Sequence, residues 1–185
     1  MLRSTRRRAR RDPLAGIAPT SATDQYVLTV RSGSRLFVAG HDPERDGRLV
    51  YRGRVGEAVR MRDTDAALRL ATANALASAR EAVGSLERLR CVVLTAFVST
   101  ATSEALDPGF LSGSLALLAE TLPSGGRPAV WLRPAQGLAA GMAVEVELML
   151  EVVAGRARHA AAIRSPQTRA RADARRPRRS GARTS

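Results

Sequence analysis

The sequence predicts an α+β domain: a mixed β-sheet with two helices packed on one face. Short runs rich in Val, Leu, Phe and Tyr alternate with two longer segments of helical periodicity, in the order β-β-(β)-α-β-α-β-β. Both helical segments are bounded by turn residues, and no internal repeat interrupts the series. At 185 residues and 44% hydrophobic, the chain can build one real core but is short for two.

Tyr26 to Val30 is a β-rich run that ends at the turn Ser32-Gly33-Ser34, and Leu36 to Gly40 returns, so the two form a hairpin. Asp42 to Gly47 is turn chemistry, with Pro43 fixing φ and Gly47 supplying positive φ. Leu49 to Tyr51 reads as a short third strand. Between Asp63 and Val83 the period becomes helical: Leu68, Ala71, Ala75, Leu76, Ala79 and Val83 share a face, Asp63 or Thr64 can cap the start, and Gly84 suits the left-handed end. Cys91 to Val98 is too continuously apolar for a half-exposed strand and is expected to be central and covered on both faces. A second helix opens at Asp107-Pro108, carries Leu111, Leu115, Leu118 and Leu122 on one side, and stops at Pro123.

Ala129 to Leu132 is a short strand. Met142 to Glu151 alternates cleanly, with Val144, Val146, Leu148 and Leu150 to one side and Glu145, Glu147, Met149 and Glu151 to the other. Two helices can cover only one face of such a sheet. The apolar content of the strands argues that the second face is buried as well, so an oligomer whose sheets pack together is expected.

The formal charge of +13 sits on the ends. Residues 1–23 carry +5 and residues 154–185 carry +9, while 24–153 carry −1. The chain therefore divides into a basic arm (1–23), a folded domain (24–153) and an Arg-rich tail (154–185). Both ends are expected to be disordered, since Arg, Ala, Ser and Pro bury too little apolar surface to offset ordering entropy. Such arms bind nucleic acid non-specifically by counterion release, but neither carries an aromatic residue on which a base could stack. No run approaches the ~18 apolar residues of a membrane span. No secretory leader is evident either; the Arg-rich, acid-poor start also fits an organelle transit peptide, and cytoplasmic is the default expectation.

All 30 basic residues are Arg, which removes lysine Schiff-base and pyridoxal chemistry. One Cys, Cys91, cannot form an internal disulfide and reads as an inert buried thiol. Two His, His41 and His159, cannot build a zinc site without carboxylate help, and His41 beside a turn suits hydrogen bonding better than acid–base work. No metal site is expected.

Four segments in order carry a family resemblance. They are Arg35-Leu36-Phe37-Val38-Ala39-Gly40-His41-Asp42-Pro43, the Ala-rich helix ending Gly84-Ser85-Leu86-Glu87-Arg88, the strand ending Thr95-Ala96-Phe97-Val98, and Gly126-Arg127-Pro128-Ala129-Val130 followed by Ala143-Val144-Glu145-Val146-Glu147. Over residues 25–152 the chain resembles the reactive intermediate deaminase (Rid, YjgF-type) family, also called "L-PSP endoribonuclease". The resemblance implies a chorismate-mutase-like fold and a homotrimer with clefts between subunits. It also implies cofactor-free hydrolysis of 2-imino or enamine acids to 2-keto acids and ammonia. Arg127 matches the arginine that grips the substrate carboxylate, and Glu145 the glutamate that orients or deprotonates water. Tyr26 matches a pocket-wall tyrosine, and Ser112 falls roughly where many members carry an asparagine. A planar guanidinium suits a bidentate carboxylate. Trp131, just after Arg127, is expected at a subunit boundary.

The sequence departs from the pattern in two places. Arg127 and Glu145 are 18 positions apart, about three more than usual, so Glu147, pointing the same way, could stand in for Glu145. Ser112 also removes an amide. Two alternatives therefore stand beside the deaminase: a non-catalytic trimer that binds a small carboxylate metabolite, and RNA binding or cleavage aided by the arms.

Overall fold

The computed structural model describes residues 12–17, 26–101, 106–123 and 127–153, all within one compact unit. Seven strands form: β1 (Thr29–Ser32), β2 (Arg35–His41), β3 (Glu44–Arg45), β4 (Arg48–Leu49), β5 (Leu89–Ser99), β6 (Ala129–Ala135) and β7 (Val144–Val152). Two helices, α1 (Thr64–Val83) and α2 (Ser112–Thr121), complete the unit. The main sheet runs β1-β2-β7-β5-β6, and only β5 and β6 are parallel. Thus α1 carries the chain from β2 across to β5, α2 carries it from β5 to β6, and the last strand slots antiparallel into the gap between β2 and β5. Strand partners so distant in sequence explain why the sheet order cannot be read from local pattern.

The alternation in β7 is realised. Val144, Val146, Leu148 and Leu150 are buried beneath the helices, whereas Glu145, Glu147, Met149 and Glu151 lie half-buried on the other face. On α1 the burial goes beyond one stripe: every residue from Leu70 to Ala79 is buried. Alanines let the helix lie close to the sheet, and its polar side chains find partners. Asn74 donates to the carbonyls of Asp42 (2.8 Å) and Glu44 (2.9 Å), and Thr72 hydrogen-bonds Ser114 at 2.9 Å.

Several expectations need correction. The first strand starts at Thr29, not Tyr26. The turn after β2 holds a two-residue hairpin of its own, β3 with β4, whose tip Asp46-Gly47 has φ of 52° and 71°, so Leu49 to Tyr51 is not a strand of the main sheet. Neither Asp63 nor Thr64 caps α1: Asp63 is drawn to Arg60 at 2.7 Å, and the Thr64 hydroxyl is buried without a partner. Gly84 does end α1, at φ 78°. Asp107 caps a 3-10 turn over Pro108–Leu111 by accepting from Gly109 N–H at 2.8 Å, and the α-helix begins only at Ser112. β5 is central in the sheet but covered on one face only, since Val93, Thr95 and Phe97 remain half-buried on the side away from the helices. β6 runs on through Pro134, which an edge strand tolerates because one side makes no ladder bonds.

The expected arm also proves shorter than 1–23. Leu14 is 0% exposed within the core, Ile17 packs against it, and Asp12 ties the turn to α1 through Arg80 at 2.9 Å. One leucine was too short a signal against an Arg-rich background. The rest of 1–23, and the tail 154–185, lie outside the described residues.

Two consequences are measurable. Leu14→Ala should destabilise the domain by about 2–5 kcal/mol in urea unfolding. His41 is buried with Nδ1 on the Ala39 carbonyl and Nε2 on the Ser78 hydroxyl, both at 2.7 Å, and burial lowers its pKa below 6.5. The folded state thus holds the neutral ring. Stability should fall as pH drops below 6.5, where the unfolded chain takes up a proton that the native chain resists, and His41→Gln should lack this step.

Candidate functional site

The sheet face away from the helices is the candidate site. Cross-strand partners point to the same face, so the register sorts its side chains into three transverse rows. Val30, Phe37, Met149, Val93 and Ala129 form an apolar row; Glu147, Thr95 and Trp131 form the next; Glu145, Phe97 and Arg133 form the third. A groove of about 280 Å³ runs over the apolar row and reaches Thr95 and Glu147. Trp131 is 52% and Phe37 40% exposed, which is unusual for side chains of this size.

Glu145 lies where β2 bulges between Val38 and His41. Its carboxylate rests on the Cα of Gly40, where an added Cβ would fall on Glu145 Oε1. Burial raises the Glu145 pKa above 4.5, and the nearby carboxylates of Glu147 and Asp42 raise it further. Asp42 is also raised, by burial, and one of its carboxylate oxygens is buried without a hydrogen-bond partner. Glu151 differs, since Arg90, its cross-strand partner, forms an ion pair with it.

Arg127 is exposed just before β6, and no ion pair engages it among the described residues. It is not near Glu145. Ala129 pairs with Val93 and Glu145 with Phe97, so Arg127 lies about six residues from Glu145 along the strand direction. At ~3.3 Å per residue that is roughly 20 Å, with β5 between the two strands. Tyr26 is 59% exposed and precedes β1, on the opposite edge of the sheet from β6.

Ser112 takes no part in this face. Its hydroxyl donates to Asp65 Oδ1 at 3.1 Å in the helix layer, where Asp65 also accepts from Gly113 N–H at 2.7 Å and so caps α2 from α1. The partner of Ser112 lies 47 positions away in the sequence, and a polar residue at a helix start gives no local sign of which group it will meet. Glu147 does face the same way as Glu145. Gly40, Asp42 and Arg133 were missed: Gly40 read as an ordinary hairpin residue, and nothing local couples it to Glu145, 105 positions later.

Elsewhere the chemistry is quiet. Burial pushes the Cys91 thiol up to about 12, so it stays protonated. No cluster of three His, Cys, Asp or Glu side chains among the described residues could hold a metal ion. None of the described helices is long and apolar enough to cross a membrane.

A family model described as "YjgF/chorismate_mutase-like, putative endoribonuclease" matches residues 14–152. Among solved structures, a protein of unknown function from Agrobacterium tumefaciens is 27% identical, with a TM-score of 0.65 over 70% of this chain and 82% of its own. A "putative endoribonuclease" from Shewanella oneidensis is 28% identical, with a TM-score of 0.68 over 74% of this chain and 91% of its own. The YjgF gene product of E. coli shares the fold at 21% identity, with a TM-score of 0.51 over 72% of this chain and 92% of its own. No curated protein matches the chain.

Gly40→Ala should push the Glu145 side chain off its seat. The displaced atoms are the far end of a flexible chain, so thermal unfolding should shift by only a few degrees. A carboxyl resonance assigned to Glu145 should titrate closer to the ordinary 4.5 in the variant than in the parent, because the displaced group is better hydrated.

Proposed function

Because the chain belongs to the YjgF/chorismate-mutase-like family, matched over residues 14–152, we propose that it hydrolyses 2-imino and enamine acids in clefts completed between copies of a homotrimer. The observation that carries this reading is the separation of Arg127 from Glu145. With their backbones roughly 20 Å apart along the strand direction and β5 between them, Arg127 and Glu145 of one chain cannot share a small substrate unless a second copy brings them together. Tyr26 and Arg127 flank opposite sheet edges, which is where neighbouring copies in a ring would meet. The half-apolar open face, with Phe37 and Trp131 exposed, supplies surface to bury.

In the proposed step Arg127 grips the substrate carboxylate in a bidentate pair and so orients the adjoining C=N bond. Glu145 takes a proton from water as the water oxygen bonds to the imine carbon, and passes that proton to the imine nitrogen to give the carbinolamine. In the collapse Glu145 takes the carbinolamine hydroxyl proton and delivers it to the amine nitrogen as the C–N bond breaks, so that ammonia leaves and a 2-keto acid remains. A carboxylate raised toward neutrality suits both halves of that exchange. Glu147 is the substitute base should a neighbouring copy approach two residues further along β7.

The family description includes "putative endoribonuclease", but His41 does not favour RNA cleavage. It is 1% exposed and both ring nitrogens are engaged, so it reaches no phosphodiester. Ligand binding without turnover is the outcome the assay separates from catalysis.

An amino-acid oxidase can generate the imine in situ while ammonia and keto-acid release are followed. The chain should accelerate release, and Arg127→Ala should lower the effect about 100-fold. Equal rates for the two proteins would reject the deaminase. Saturable ligand binding with no acceleration would instead identify a binding protein. On the acid side the rate should fall as pH drops through a value above 4.5, as Glu145 gains its proton. Light scattering should give a mass about three times 19.7 kDa, and a monomer would remove the site.

A further inference from the structure

Asp42 is a carboxylate at odds with its surroundings. It lies half-buried just past the end of β2, between His41 and Pro43, which are both buried. One of its carboxylate oxygens is buried without a hydrogen-bond partner, and no ion pair engages the group among the described residues. Its neighbour does not supply the missing charge. His41 spends both ring nitrogens on the Ala39 carbonyl and the Ser78 hydroxyl, and burial favours the neutral ring. An ionised Asp42 therefore costs the fold stability at neutral pH, where burial holds its pKa above 3.8.

The residue is nevertheless fixed in place. Asn74, 3% exposed midway along α1, donates to the carbonyls of Asp42 at 2.8 Å and Glu44 at 2.9 Å, and so pins this stretch of backbone to the helix layer. Two positions earlier, the Cα of Gly40 seats the Glu145 carboxylate. The two acids are thus held at one end of the sheet, near enough for the charge of Asp42 to act on Glu145. Around Glu145, β7 adds Glu147, which repels it in the same sense. β6 offers Arg133, two strands away and turned onto the Trp131 ring at 4.3 Å. Arg52 bridges through its backbone to Met142 and forms no ion pair among the described residues. β5 contributes Phe97 beside Glu145, and it is uncharged.

We propose that Asp42, pinned by Asn74, is a positioning residue for Glu145: the fold carries an unpartnered carboxylate against its own stability, and that charge keeps Glu145 basic enough to take the proton of the attacking water. The inference rests on the deaminase reading, in which Glu145 is the base. An amide of the same shape at position 42 would suit the fold better and the reaction worse, the trade expected of a group retained for activity.

The full chain is compared with Asp42→Asn and Asp42→Ala by the Glu145 carboxyl resonance, by thermal unfolding and by imine hydrolysis. In both variants the Glu145 midpoint should move toward 4.5, by about half a pH unit or more. The acid limb of the rate profile should move down with it, and kcat at pH 7 should fall about twofold to threefold while KM stays constant. Asp42→Asn should unfold at a higher temperature than the parent at pH 7, and this gain should shrink as pH falls toward 3.8, where the parent also carries a neutral group. The proposal is overturned if the Glu145 midpoint stays in place in both variants, whether or not the parent is active. It is overturned as well if Asp42→Asn unfolds several degrees below the parent at pH 7, since Asp42 would then serve the fold. A parent that hydrolyses no imine, while the Glu145 midpoint still shifts, rejects the deaminase reading and with it the catalytic use of Asp42; the shifted midpoint tells that failure apart from the other two.

Discussion

The insertion of β7 between β2 and β5 is the constraint on which the rest of the structure depends. Its hydrogen bonds join the β1–β2 hairpin to the β5–β6 pair, and without it the main sheet would fall into two pieces. Its alternation decides what each sheet face becomes. Four aliphatic side chains from β7 lie under α1, and three carboxylates with one methionine lie on the other side. A shift of one residue would exchange the two sets and bury three acids in the core. The register is therefore strongly specified, and with it the positions of Glu145 and Glu147.

The two layers solve unequal problems. On the helix side, alanine brings α1 close enough that ten consecutive residues are buried, and the buried polar groups there are nearly all satisfied by nearby backbone or hydroxyls. His41 and Ser78 belong to this layer. Their hydrogen bond is a buried strut between sheet and helix, and a His–Ser contact alone does not make a nucleophile. On the open side the polar groups are left under tension. Glu145 and Glu147 repel one another, and a guanidinium rests on an indole without a carboxylate partner among the described residues. Unsatisfied electrostatics on a rigid sheet favour whatever completes them, which is why the substrate cleft is proposed there.

Gly40 shows how closely the two strands cooperate. Its φ is unremarkable, and the lack of a side chain matters only because the Glu145 carboxylate occupies the space a Cβ would take. The bulge in which it sits turns His41 into the core while leaving Glu145 on the open face. The glutamate is thereby held against backbone and like charge instead of extending into solvent, and its basicity follows from that seat.

By itself the sequence determined the fold class, the two helices, the β7 alternation and the inert state of Cys91. Each depends on periodicity or composition within a dozen residues, where local sterics and burial dominate. The sequence also marked Arg127 and Glu145 through the resemblance of their flanking segments. Only the tertiary structure decided that Leu14 belongs to the core, that Ser112 serves Asp65, that Gly40 seats Glu145, and that Arg133, not Arg127, shares a row with Glu145. Each of these is a pairing between residues tens of positions apart, fixed by strand order and register. Local pattern carries no information about such pairings, because the same stretch of alternating residues can sit beside any strand that completes its ladder.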